Sequence, residues 1–175
     1  VVGLGTRPTT TPTSLEPLNA PSPSPSPLPT TSTPTFGCAA LDGSLLFDEF
    51  CYYATDQKLS FDGCDTLCED LLPGSHLPCV REQADNDFLA ANFPDDVITT
   101  SAYRIWINYR DRTPNARVFE WSDECPAGVG TFENWHAGEP NNLGNNDCAD
   151  LREAGTWDDN NCDAVQRRCV CQFEA

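Results

Sequence analysis

The chain has 175 residues, 21% of them charged, and its 27 acidic against 10 basic side chains give a formal net charge of −17. A single lysine, Lys58, and arginines scattered singly or in pairs make no basic patch, so nucleic acid is excluded as a partner. No apolar run approaches the roughly 18 residues of a membrane span, and with no charged-then-apolar leader Val1 reads as the start of a mature chain or of an excised fragment.

Composition changes near Phe36. Residues 1–35 hold nine Pro, nine Thr and five Ser, with only Arg7 and Glu16 charged, so the whole net charge falls on 36–175. In Pro21-Ser22-Pro23-Ser24-Pro25-Ser26-Pro27 alternate residues lack an amide donor and each proline pushes its predecessor toward extended backbone, which leaves polyproline II. The segment reads as a plain linker or as an O-glycosylated rod, since closely spaced hydroxyls sit on a stiff backbone. The Ser-Pro repeat resembles hydroxyproline-rich stalks of plant and algal matrices, and the Thr-Pro stretches resemble mucin stalks. A proline-rich glycoprotein stalk over 1–35 is therefore expected.

Ten cysteines in so small a chain point to an oxidising, extracellular compartment, and the even count fits five bridges. Zinc is the weaker reading. No CxxC pair occurs, the nearest spacings are Cys64 with Cys68 and Cys169 with Cys171, and only His76 and His136 add nitrogen.

Cys38 and Cys51 flank short apolar runs around Asp42-Gly43, a hairpin turn signal that a bridge between them would close. Phe61, Cys64, Cys68 and Leu71 recur at helical spacing and predict an amphipathic helix with Ser60 as N-cap and Pro73-Gly74 as stop. A second helix is expected from Arg81 to Phe93, with Ala84, Phe88 and Leu89 on its apolar side. Strand-like runs follow at 104–108 and 118–121, and again at 155–158 and 168–173. Between them lie about thirty residues rich in Gly, Asn, Asp and Pro, too few of them apolar to order the loop by burial, so bridges or an ion must hold it.

Trp106-Ile107, Trp121-Ser122-Asp123, and Asn134-Trp135 leading into Gly138-Glu139-Pro140-Asn141-Asn142 are each weak signals, as are Cys148, Trp157-Asp158-Asp159, Cys162 and Cys171-Gln172-Phe173. Their joint order and spacing, with Cys38 and Cys51, are specific, and residues 37–174 resemble a C-type lectin-like domain of the long form. The resemblance implies an α+β, disulfide-rich fold over 36–175, with two helices, short antiparallel strands and a long irregular calcium-binding loop. It also implies bridges Cys68–Cys171 and Cys148–Cys162. Of the four cysteines left, Cys64 lies one helical turn before Cys68 and Cys169 two strand residues before Cys171. Rises of about 5.4 and 6.7 Å nearly match, which would let Cys64 and Cys169 form a second rung, and Cys79 with Cys125 would pair by elimination.

In calcium-binding members of that family the ion is held by Glu and Asn of Glu-Pro-Asn, a second Glu, and the Asn-Asp after the Trp. Glu139, Asn141, Asp158 and Asp159 match these positions, while Asn146 stands where the second Glu is expected, in a loop one residue shorter. Three carboxylates and two amides are thus retained, and a cis peptide before Pro140 is expected. The family grips sugar by letting two hydroxyls ligate the calcium, each meeting an acceptor and a donor side chain. Glu139 with Asn141 keeps the mannose-type couple, but Asn146 with Asp158 exchanges acceptor and donor, so a galactose-like preference, or loss of sugar binding, is the hypothesis. Trp135 and Trp157 read as core, His136 as a surface residue, and Asp111 and Asp147 as weak candidates for a second ion.

Two histidines at unrelated positions and no nucleophile set argue against an enzyme. The expected function is an extracellular calcium-dependent carbohydrate-binding module on a glycosylated stalk, secreted, in the matrix or at the cell surface, with a glycan or glycoprotein as partner. The rival is a module of the same fold that holds other extracellular protein chains. A calcium-mediated grip on glycans of a neighbouring stalk would satisfy both.

Overall fold

The computed structural model describes residues 37–93, 104–114, 116–126, 129–152 and 154–175; the expected stalk over 1–35 lies outside them. After a short 3-10 turn at Cys38–Ala40, β1 (Leu45–Phe47) and β2 (Phe50–Leu59) form a hairpin. The reversal falls at Asp48-Glu49 and not at Asp42-Gly43. Phe47 stacks on Phe88 at 4.4 Å and Phe50 is buried, so burying these two aromatics decides where the chain turns. Gly43, at φ 88°, instead serves a separate turn leading into β1.

Helix α1 (Phe61–Leu71) begins as its sequence requires: the Ser60 hydroxyl accepts the Gly63 N–H at 3.2 Å, and Asp62 lies in the first turn. Phe61, Cys64 and Cys68 face inward, whereas Leu71 is 39% exposed and Leu72, just past the helix end, is buried in its place. Helix α2 (Gln83–Asn92) buries Asp85, Asn86 and Leu89, while Ala84 is exposed. The apolar stripe expected there is overridden because both polar residues find partners. Asp85 accepts from the Arg81 backbone N–H at 2.8 Å and from its guanidinium at 2.9 and 2.7 Å. Asn86 bridges Gly155 and Trp157.

The remaining strands are β3 (Arg104–Asp111), β4 (Phe119–Trp121), β5 (Cys148–Arg152), β6 (Trp157–Asn160) and β7 (Arg167–Glu174). The sheet runs β1-β2-β7-β3-β5-β6, with β4 on β3. It is mixed, since β3 meets β7 in parallel at Ile105↔Arg168 while the other pairs are antiparallel. Two strands depart from the expected pattern: β2 is ten residues long, and β5 lies where irregular chain was expected. The sequence signal of β5 is broken by Asp150, which is fully buried because Arg104, Arg167 and Asn160 surround its carboxylate.

A core of Tyr52, Leu89, Ile107, Leu151, Trp157 and Val170 fills the space between α2 and the sheet. All ten cysteines are bridged: Cys38–Cys51, Cys64–Cys169, Cys68–Cys171, Cys79–Cys125 and Cys148–Cys162. The second and third lie side by side and join α1 to β7, while the last ties β5 to the turn after β6.

Candidate functional site

Trp157 is the hub from which the loop site is built. Its ring is fully buried, and its indole N–H donates to Asn86 Oδ1 at 2.8 Å, which locks the start of β6 against α2. Its backbone stitches the loop to the strand: the Trp157 N–H donates to the Asn134 carbonyl, and the His136 N–H donates to the Trp157 carbonyl, both at 2.8 Å. Asn134 repeats the link through its side chain, which donates to the Gly155 carbonyl at 2.8 Å. Gly155 adopts φ 76°, and a Cβ there would stand 2.9 Å from Asn86 Nδ2, so this tight turn before Trp157 favours glycine on both counts.

One turn further, the Glu139 N–H donates to the His136 carbonyl at 2.9 Å, and the Glu139-Pro140 peptide is cis. Glu139 is thereby brought beside Asp158 and Asp159, the two residues after Trp157. One carboxylate oxygen from each of the three lies within 4.8 Å of the others. Asp159 is buried and accepts the Asn141 N–H at 2.8 Å and the Asn142 N–H at 2.6 Å, while the Asn141 N–H also reaches Glu139 at 3.1 Å.

The two amides behave differently from the carboxylates. Asn141 Oδ1 accepts the Leu143 N–H at 2.9 Å, closing a local turn, and Asn146 Nδ2 donates to the Asp159 backbone carbonyl at 2.9 Å. Asn141 thus closes its own turn, and Asn146 is bonded to the backbone of a cluster member. Trp135 is half-buried and packs against Trp157 at 5.8 Å, so both tryptophans are core residues, and His136 is exposed. Asp111 is buried, with its oxygens accepting the Thr113 N–H at 3.0 Å and the Arg117 N–H at 2.6 Å. It organises the 111–117 turn and is not in the cluster. The Asp147 backbone carbonyl accepts the Asp111 N–H at 2.8 Å.

Close carboxylates resist sharing the same charge. Burial, a hydrogen bond shared with Asp159 and repulsion from Asp158 and Asp159 push the Glu139 carboxyl up to about 7, against the opposing pull of the Asn141 N–H. Asn142 Oδ1 adds a buried oxygen without a hydrogen-bond partner among the described residues. An all-oxygen set with three carboxylates suits a hard cation such as calcium better than zinc, whose sites usually include nitrogen or sulfur.

Sequence reasoning missed Arg104. Its Nη1 donates to Asp158 Oδ2 at 2.5 Å and to Asp150 at 3.1 Å, so a cation is already committed to one member of the cluster. The signal available was Asp158 itself, a charged residue where an amide was expected, which calls for a nearby positive charge.

Two helices, a mixed sheet, five disulfides and an irregular loop presenting carboxylates define a domain of the C-type lectin fold. A family model described as the lectin C-type domain matches residues 57–173, and the chain belongs to that family, which is not one of enzymes. Rat lithostathine is 31% identical over 137 residues, covering 77% of this chain and 78% of its own. A C-type lectin mannose-binding isoform from Oxyuranus scutellatus is 30% identical over 129 residues, covering 71% and 78%. Among solved structures, the carbohydrate-recognition domain of mouse scavenger receptor C-type lectin superposes with a TM-score of 0.62 at 27% identity, covering 77% of this chain and 97% of that one.

Proposed function

We propose that this domain is an extracellular, calcium-dependent glycan-binding module, with Glu139, Asn141, Asn146, Asp158 and Asp159 as the residues that hold the ion and meet the sugar. The observation that carries this reading is the convergence of the Glu139, Asp158 and Asp159 oxygens to within 4.8 Å. These three carboxylates would hold a divalent cation, which would offset their mutual repulsion and supply a Lewis-acid point for two neighbouring sugar hydroxyls. The residues' own part is to accept the hydroxyl protons through carboxylates and to donate to the hydroxyl oxygens through amides. Five disulfides support an extracellular setting, and a relative described as mannose-binding supports the ligand class. The exchanged couple of Asn146 and Asp158 favours a galactose-like preference, or none, over mannose. Residues 1–35 are the O-glycosylated stalk that carries the domain.

A second reading, a module that binds other extracellular protein chains without sugar, is favoured by one feature: Asp158 is held by Arg104 and the Asn146 amide by the Asp159 carbonyl, so neither member of that couple is free. Calorimetry with calcium, then with simple mannosides and galactosides in its presence, separates the two. Micromolar-to-millimolar calcium binding followed by sugar binding that EDTA and Glu139→Gln abolish is expected. Calcium binding with no sugar heat, and association with protein that survives chelation, would transfer the function to the second reading.

A further inference from the structure

Asp150 and Asp158 stand directly opposite each other on β5 and β6, a like-charge pair that is unfavourable on a sheet face. Two guanidiniums answer it. Arg167 Nε donates to Asp150 Oδ2 at 2.6 Å, and Arg104 Nη1 spans the pair, reaching Asp150 Oδ1 at 3.1 Å and Asp158 Oδ2 at 2.5 Å. Asn160 adds a further donor to Asp150 at 3.0 Å. The Arg104 and Asp158 side chains are only 17% and 16% exposed, and that of Asp150 is fully buried, so water screens this contact weakly. The Asp158 that Arg104 grips is also the one whose oxygen lies within 4.8 Å of Glu139 and Asp159.

We infer that Arg104 is a positioning residue of the loop site: an internal cation that competes with calcium for Asp158 and so lowers the site's affinity for the ion. The inference rests on the calcium reading proposed above and deepens it. Any cation held by the three carboxylates would share the charge of Asp158 with a guanidinium that keeps its proton. Asp150 does not depend on Arg104 alone, since Arg167 and Asn160 remain bonded to it when Arg104 is replaced. The ion site and the buried ion network of β3, β5 and β7 are thus joined through one side chain.

The test is a calorimetric titration of the full chain with calcium chloride, in wild type, Arg104→Gln, Asp158→Asn and the double variant. Releasing the Asp158 carboxylate from its guanidinium partner is expected to raise calcium affinity about tenfold in Arg104→Gln. Because the effect acts through Asp158, the same replacement in the Asp158→Asn background is expected to change affinity by less than about threefold. An Arg acting only as a distant charge, or only as scaffolding, would not produce that difference. Arg104→Lys, which keeps the charge but can reach one carboxylate at a time, should restore most of the wild-type weakness and serves as the second variant should Arg104→Gln not fold. Equal affinity in wild type and Arg104→Gln, or weaker affinity in the variant, overturns the role of Arg104 and leaves the calcium site standing. No calcium heat in any variant overturns both, and heat in Arg104→Gln but not in wild type sustains the role of Arg104 while overturning the calcium reading for the native chain.

Discussion

The two bridges between α1 and β7 should stabilise the domain far from additively. Cys64–Cys169 and Cys68–Cys171 span 105 and 103 residues, but Cys79–Cys125 and Cys148–Cys162 short-cut that span, so either alone closes a ring of about 48 residues and restricts the unfolded chain by about 4 kcal/mol in the loop-entropy account. Once one exists, the other closes only a ring of about eight residues, made of 64–68 and 169–171, for which the same relation gives about 2.5 kcal/mol. Replacing both cysteines of one bridge with Ala is therefore expected to cost about 2.5 kcal/mol in this loop term, and removing both bridges about 6.5, some 1.5 kcal/mol more than the two single losses together. All four cysteines are fully buried, so each Ala also leaves a small void, a contribution that cancels in the cycle. Guanidinium unfolding of the oxidised proteins, followed by near-ultraviolet circular dichroism with m verified constant, measures each term. A bridge-free loss no greater than the sum of the two single losses would refute the reasoning.

The raised Glu139 carboxyl sets a pH dependence. The folded state keeps a proton that the unfolded chain has lost above about 4.5, so the calcium-free protein is expected to lose stability as pH rises from about 4.5 to about 7. Calcium affinity should climb through the same window as the proton ceases to compete, and melts in EDTA plus titrations across that range would show it; flat profiles would not agree with this electrostatics. Asn86→Leu leaves the buried Trp157 indole N–H without its acceptor, while the Gly155 carbonyl keeps Asn134, so a cost of about 1 to 3 kcal/mol is expected in chemical denaturation. A change under about 0.5 kcal/mol would mean that the contact contributes little.

What can be read from the chain alone is what depends on short spacing. The Ser60 cap and inward Phe61, Cys64 and Cys68 are set within one or two turns of helix, and the paired rungs follow from matching helical and strand rises. Glu139, Asp158 and Asp159 stand out because Glu-Pro and Trp-Asp-Asp are local patterns, although their approach in space needs the long link through Asn134 and His136 to Trp157. Hidden from any local reading are the polar residues whose partners lie far away in sequence. Asp85 and Asn86 make α2 look less amphipathic than it is, and Asp150 disguises β5 until Arg104 and Arg167, 46 and 17 residues away, are brought against it. The hairpin turn is displaced for a similar reason, since Phe47 finds Phe88 across the core.

The bridge pattern has a mechanical consequence. A pull applied between Gly37 and Ala175 passes from Cys38 across its bond to Cys51, along the chain to Cys64, and then across to Cys169 on the closing strand. Only the fourteen residues from Cys51 to Cys64 can be drawn out between those covalent junctions, reaching at most roughly 50 Å. Tension therefore bypasses residues 69–168, Glu139, Asp158 and Asp159 among them, so the carboxylate loop keeps its shape under a load that would unravel an unbridged sheet.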